Sequence, residues 1–257
     1  MDIVIKEQKG KVVFLTLNRP DKRNAMSTEL VKGLMRYFLE LREDDTVRVI
    51  ILRANGNVFC SGADLSYLQQ LQNNSYEENI ADSSSMAELF ALIYTHSKLI
   101  IAQVAGAALA GGCGLATVCD LCYATPESKF GYTEVKIGFI PAIVSFFLIR
   151  KIGESKAKSL LLSGNIVDAN TAKHLNLIND VIDSELMEEH VWSLAEKIAT
   201  ETSPSSIELT KKLMSEIQSL NLNEAMQFAA ASNAKARATS DCRKGIAAFL
   251  NKEKLMW

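Results

Sequence analysis

The sequence has little that would mark a fibrous, membrane or nucleic-acid-binding chain. Its 257 residues hold four prolines, three histidines and 7% aromatic residues, and a formal net charge of only −2. So small a charge, with lysine and arginine spread along the chain, excludes the basic footprint of a nucleic-acid or polyanion binder. No apolar run is long enough to span a bilayer; IPAIVSFFLI at 140–149 is typical of the longest. The start, MDIVIKEQKGKVVF, alternates apolar and polar residues, so no secretory leader is expected there. Five cysteines, an odd number in a chain this long, argue against a disulfide framework and for a reducing, cytoplasmic setting. Cys119 and Cys122 form a CxxC without a second pair, and His96, His174 and His190 are scattered. Buried thiols are expected there, and no metal site.

What is present is a large hydrophobic content, 48%, arranged in alternating patterns. Two strands are expected around Ile3–Ile5 and Val12–Leu17, joined at Lys9-Gly10. Ser27 reads as an N-cap, followed by Leu30, Leu34, Phe38 and Leu41 at helical spacing. Buried strands are expected at 47–52 and 99–104, short ones at 121–125 and 129–132, and a helix at 86–96. The polar stretch 73–85 reads as a mobile surface segment. After residue 150 strand signals nearly vanish, and Ser203-Pro204 marks a helix start. Lys211 and Lys212, flanked by Glu208 and Glu216, read as a solvated helix face. The division implied is a layered core over 1–200 and a helical region over 201–257.

ALAGGCGLATVCD at 108–120 places glycines between a strand and a helix. A phosphate loop fails, because Gly112 and Cys113 stand where lysine and a hydroxyl are required. A dinucleotide loop also fails, with Thr117 in place of its third glycine. Two readings remain on spacing alone. Either the glycines let a helix pack closely on a sheet, or free N–H groups at the helix start hold a carbonyl oxygen that gains charge during reaction. FCSGADL at 59–65 offers a second turn of that kind, with Gly62 freeing the backbone at Ala63. Cys60 and Ser61 read as turn residues and Asp64 as a helix cap. A third segment, FGYTEVKIGFIPA at 130–142, sets Glu134 among apolar residues, where a raised pKa would let it trade protons near neutrality.

Taken together with NRPDKRNAM at 18–26 and the ending GIAAFLNKEKLMW, these ordered segments resemble the crotonase (enoyl-CoA hydratase/isomerase) superfamily over essentially the whole chain. The resemblance implies an α/β fold: a spiral of ββα turns with two roughly perpendicular sheets, then C-terminal helices that build trimers or hexamers. It implies that the N–H groups of Ala63 and Gly111 cradle a thioester oxygen and that Glu134 moves the proton. It places an acyl-CoA along Lys22, Arg23 and Ala25, with Asp64 and Leu65 nearby. Ser61, Gly112, Gly114, Thr133 and Ala142 join the substrate-contacting set, and Phe249 and Lys252 reach the nucleotide held by a neighbouring subunit. No separate cofactor is implied, since coenzyme A is part of the substrate.

The sequence departs from the family's two-carboxylate hydratases. The place of the second glutamate is Gly114, and Ala142-Ile-Val-Ser145 stands where Gly-Ala-Gly-Gly is usual. TEVKIGFIPA and AFLNKEKLMW nonetheless resemble the branch that hydrates methylglutaconyl-CoA and similar substrates. The implied activity is hydration of a 2-enoyl-CoA with a single glutamate. The alternatives are Δ3-Δ2-enoyl-CoA isomerisation with Glu134 as sole shuttle, and an idle relative that binds CoA esters.

Overall fold

The computed structural model describes residues 2–64, 68–69 and 72–257. Strands β1 (Val4–Lys9) and β2 (Val12–Leu17) form an antiparallel hairpin, turned at Gly10 with φ +58°. β2 then pairs in parallel with β3 (Val49–Ala54). With β5 (Leu99–Val104), β7 (Leu121–Ala124) and β10 (Asp180–Val181) these make a six-stranded sheet in the order β1-β2-β3-β5-β7-β10. β4 (Val58–Cys60), β6 (Ala107–Leu109), β8 (Lys129–Gly131) and β9 (Ile166–Asp168) make a second, four-stranded sheet in that order.

The chain thus leaves the first sheet and enters the second three times, at β3–β4, β5–β6 and β7–β8. The crossing before β6 needs a glycine. Gly106 has φ +91°, and a Cβ there would lie 2.1 Å from the Asn57 carbonyl oxygen of the preceding crossing. Successive turns of the spiral are stacked in backbone contact.

Helices close each turn. α1 (Thr28–Glu43) follows β2 and is capped by Ser27, whose Oγ accepts from the Leu30 N–H. α2 (Tyr76–Tyr94) follows β4, α3 (Gly111–Val118) follows β6, and α4 (Ala142–Ile152) and α5 (Glu154–Ser163) follow β8. The inner strands of the first sheet are buried on both faces, which explains their continuous apolar runs. Ile50 and Leu52 of β3 pack with Leu30, Leu34 and Phe38 of α1 in one core. Val49 and Ile51 face the other way, onto Met187, Val191 and Ala195 of α7 (Met187–Glu201), beyond the short α6 (Ala169–His174). The last three helices, α8 (Pro204–Ile217), α9 (Leu222–Arg237) and α10 (Ser240–Leu250), bury only Ala248. Met214, Leu222, Met226, Phe249 and Leu250 are all more than half exposed.

Three sequence expectations are corrected. Most of 73–85 is helix: α2 starts at Tyr76 under a capping box in which Ser75 and Glu78 bond each other's backbone. Its polar composition reflects exposure, since its buried residues are confined to Leu89, Phe90, Leu92 and Ile93. Strands continue after residue 150, as β9 and β10, but with three and two residues they carry no pattern of their own. Lys211 is not on a solvated face. Its Nζ reaches the Asp120 carboxylate at 2.5 Å and the Lys98 carbonyl at 2.9 Å. Among the described residues no helix is long and apolar enough to cross a membrane, and no cluster of potential metal ligands occurs. Cys119 and Cys122 are buried free thiols, and burial pushes both pKa values up, that of Cys122 to about 12.

Candidate active site

The segment 59–64 is held in place by the loop before α1. Met26 N–H donates to the Gly62 carbonyl at 2.7 Å, and Asp64 N–H to the Met26 carbonyl at 3.2 Å. In this bridge the bonded groups belong to the neighbours of Ala63. The N–H of Ala63 itself therefore has no partner among the described residues. Gly62 has φ +88°, and a Cβ on it would lie 2.8 Å from the Ala110 Cβ. The two glycine turns are thus packed directly on one another.

The second turn is strained. Ala110 adopts φ +49° and ψ −127°, a region that a residue with a Cβ enters only at a cost of about 1–3 kcal/mol. Its N–H donates to the Gly131 carbonyl at 2.7 Å, which anchors the turn to β8. α3 begins at the next residue. The Gly111 N–H is then one of the first-turn donors that a helix leaves without an intrahelical acceptor.

β8 leads through Tyr132 and Thr133 into a 3₁₀ turn, Glu134–Ile137. The buried Tyr132 hydroxyl bonds Thr117 Oγ1 of α3 at 2.8 Å, fixing this strand end against the helix that carries Gly111. Glu134 Oε2 is buried and has no hydrogen-bond partner among the described residues. Burial holds its pKa above the ordinary carboxylate value of 4.5. A buried acceptor without a donor calls for a proton or for a ligand that brings one.

One cavity of about 370 Å³ collects Ser61, Ala63, Gly111, Thr133, Glu134 and Ala142. Its remaining walls are largely apolar, from Met26, Met86 and Phe90 round to Ile140 and Val144. Two groups of N–H donors, from separate turns, therefore share an apolar cleft with one carboxyl group of raised pKa. Such a site can bind a carbonyl oxygen, stabilise the charge it gains, and exchange a proton with a neighbouring carbon.

The other expected residues lie elsewhere. Gly112 and Gly114 do not line the cavity; both are packing positions. A Cβ on Gly112 would lie 2.3 Å from the Cys60 carbonyl oxygen, and one on Gly114 would lie 2.2 Å from Val144 Cγ1. Lys22, Arg23 and Ala25 are on the loop beneath the first turn, and Lys22 and Arg23 are exposed. Asp64 Oδ2 is paired with Arg19 Nη2 at 3.0 Å; the helix start it was expected to cap lies outside the described residues. Phe249 is 82% exposed at the end of α10, and Lys252 lies beyond it in a left-handed conformation, φ +57°. Leu65 lies outside the described residues.

Two supporting residues escape a reading of the sequence. Arg19 also donates to the Ala25 carbonyl at 3.2 Å, tying the Lys22–Ala25 loop to Asp64. Asn24, at φ +50°, donates to the Asn55 and Val58 carbonyls, each at 2.8 Å, and accepts from Arg19 N–H. The consecutive polar residues of NRPDKRN were the available signal.

The profile of the family described as enoyl-CoA hydratase/isomerase matches residues 7–257. The chain belongs to the enoyl-CoA hydratase/isomerase family. It is 40% identical, over 97% of its length and 98% of the relative, to a Thermus thermophilus protein whose name marks it as a provisional enoyl-CoA hydratase. It is 32% identical to the 2,3-dehydroadipyl-CoA hydratase of Escherichia coli, over 98% of this chain and 97% of that one. The crystal structure of an enoyl-CoA hydratase from Mycobacterium smegmatis superposes with a TM-score of 0.93 at 28% identity, covering 100% of this chain and 99% of the other. The two-sheet core and the C-terminal helices are those of this family's fold. The family implies an acyl-CoA thioester as the class of substrate.

Proposed function

We propose that Ala63 and Gly111 hold the thioester oxygen of an enoyl-CoA and that Glu134 alone carries the proton. Substrate binding brings the carbonyl oxygen against the two N–H groups, which stabilise the enolate formed when a proton leaves the α-carbon. Each such donor is worth about 3 kcal/mol of transition-state stabilisation. Glu134, in its ionised form, takes the proton from C2 of a 3-enoyl thioester and returns it at C4. The double bond then lies between C2 and C3.

The observation that carries this reading is the filled space beside Gly114. Syn-addition of water is served best by two carboxylates that position one water. Here the second place is taken by Val144 and Phe90, each close enough to collide with a Cβ on Gly114. A single carboxylate in an apolar wall suits proton transfer between two carbons of one substrate. Hydration with Glu134 as sole acid and base is the second reading, favoured by the names of the relatives. Incubation with 3-enoyl-CoA and 2-enoyl-CoA, with product mass and double-bond position determined, separates the two. Isomerisation gives a 2-enoyl product of unchanged mass. Mass gain by one water, faster than isomerisation, would assign the hydratase reading. No turnover of either, with CoA esters still bound, would leave a binding protein.

A further inference from the structure

A second cavity, of about 230 Å³, lies between the start of α1 and the middle of α2. It adjoins the cleft: Met26, Asp82 and Met86 line both spaces and so stand between them. Met26 is also next to the reacting centre, with its Cγ 4.0 Å from where a Cβ on Gly111 would lie. Its backbone is held by the bonds to Gly62 and Asp64, so its side chain can rotate without moving the Ala63 turn. Two of the three residues in the partition are thus methionines, unbranched and easily repacked.

The other directions out of the cleft suit a substrate's far end less well. Inward, Val144 and Phe90 fill the space beside Gly114, and Phe147 backs Phe90 with ring centroids 5.9 Å apart. Outward, Ile137, Phe139 and Ile140 are each more than half exposed, so a chain laid along them stays largely in water. The second cavity offers Met26, Val31, Ala81 and Met86 as apolar surface. Asp82 and Lys32 give it one charge of each sign, and Thr28, Lys32 and Ala81 are exposed. It therefore presents no net charge to a ligand.

We infer that the second cavity receives the far end of the acyl chain, and that the substrate is an unbranched, uncharged acyl thioester too long for the cleft alone. This rests on the acyl-CoA reading above. With the thioester oxygen at Ala63 and Gly111, a chain turned past Met26 and Met86 exchanges water for the apolar walls of both spaces. The two methionines admit a slender chain by rotating apart, and a branched one meets them as an obstacle. Met26 and Met86 thus set the shape of chain accepted, and the α1–α2 cavity sets its length.

The test measures the affinity of the protein for saturated acyl-CoAs, from butanoyl to decanoyl, by calorimetry. Each methylene that enters the second cavity should tighten binding by about two- to fourfold. Ala81→Trp fills that cavity from an exposed position on α2 and leaves the cleft and the partition as they are. It should weaken decanoyl-CoA binding by about tenfold or more and leave butanoyl-CoA binding unchanged. Ser85→Phe, one turn further along the same helix face, should do the same if the tryptophan variant folds poorly. An affinity that does not grow with chain length would overturn the proposal, as would equal growth in both variants. Tighter binding of hexanedioyl-CoA than of hexanoyl-CoA would also overturn it, since the chain would then be a charged one. Turnover of the matching 3-enoyl-CoAs is followed in parallel. If none is turned over while the length dependence and its loss in Ala81→Trp persist, the reaction assigned above fails and the chain site stands.

Discussion

Val144 fills the space that any side chain at Gly114 would need: a Cβ there would lie 2.2 Å from Val144 Cγ1 and 2.9 Å from Phe90 Cε1. The missing carboxylate and the replaced glycine-rich segment are therefore one change, not two. Ala142–Ser145 is helical, and α4 presents Val144 to α3 where a longer residue would otherwise stand. Gly114→Glu alone should destabilise the protein, by about 1–3 kcal/mol or more, and should not create a hydratase. Combined with Val144→Gly, the glutamate gains room, and stability should recover in part. Denaturant unfolding of the single and double variants, with hydration of crotonyl-CoA as the second readout, checks both statements. A stable, hydrating single variant would contradict them.

Glu134 is the titratable side chain named in both readings of the reaction. Glu134→Gln keeps the shape and removes the proton acceptor. Turnover should fall by about 10²–10⁴-fold, while acyl-CoA affinity changes little. Steady-state kinetics with a parallel binding isotherm distinguish this from a folding defect, in which both would fail.

The raised pKa of Glu134 has two signed consequences. As the base, the group must be ionised, so kcat/KM should rise with pH through a value above 4.5 and then level off. In the free protein the same shift means that the folded state holds the proton more tightly than the unfolded chain. The stabilising contribution is complete below pH 4.5 and is lost as pH rises through the folded value. Glu134→Gln should therefore be more stable than the unsubstituted protein at neutral pH, and the gap should close on acidification. Urea unfolding at pH 7.5 and pH 4 measures it.

Local chemistry was readable in advance where it determines local structure. Ser27 and Ser203 cap helices because a hydroxyl before an apolar-periodic stretch has one good use there, and each accepts the expected N–H. The glycines at 62 and 111 mark turns for similar reasons. What the sequence hid depends on distant partners. Lys211 looked solvated beside Glu208 and Glu216, yet its counter-ion, Asp120, is 91 residues away. Whether a glycine opens a site or merely permits close packing depended on the opposite wall: Met26 Cγ no nearer than 4.0 Å to a Cβ on Gly111, Cys60 against Gly112, Val144 against Gly114. The strain at Ala110 had no signal, because alanine there looks like any small residue.

Arg19 holds the first turn from below, paired with Asp64 and bonded to the Ala25 carbonyl. Both ends of that ion pair are largely buried, so loss of the guanidinium removes a charge-assisted bond from Asp64 and leaves the Ala25 carbonyl to hydrate. Arg19→Leu should cost about 1.5–3 kcal/mol of stability, as for a hydrogen bond to a charged group. The same change loosens the Met26–Ala63 bridge that sets the direction of the Ala63 N–H. An N–H misplaced in the oxyanion site lowers kcat more than it weakens ground-state binding, because its charge partner exists only in the transition state. The expected signature is a fall in kcat of about tenfold with KM nearly constant, measured well below the lowered Tm. Arg19→Lys, which keeps the charge but not the two-pronged geometry, should restore stability more fully than kcat. Equal recovery of both would show that Arg19 supports the fold without orienting Ala63.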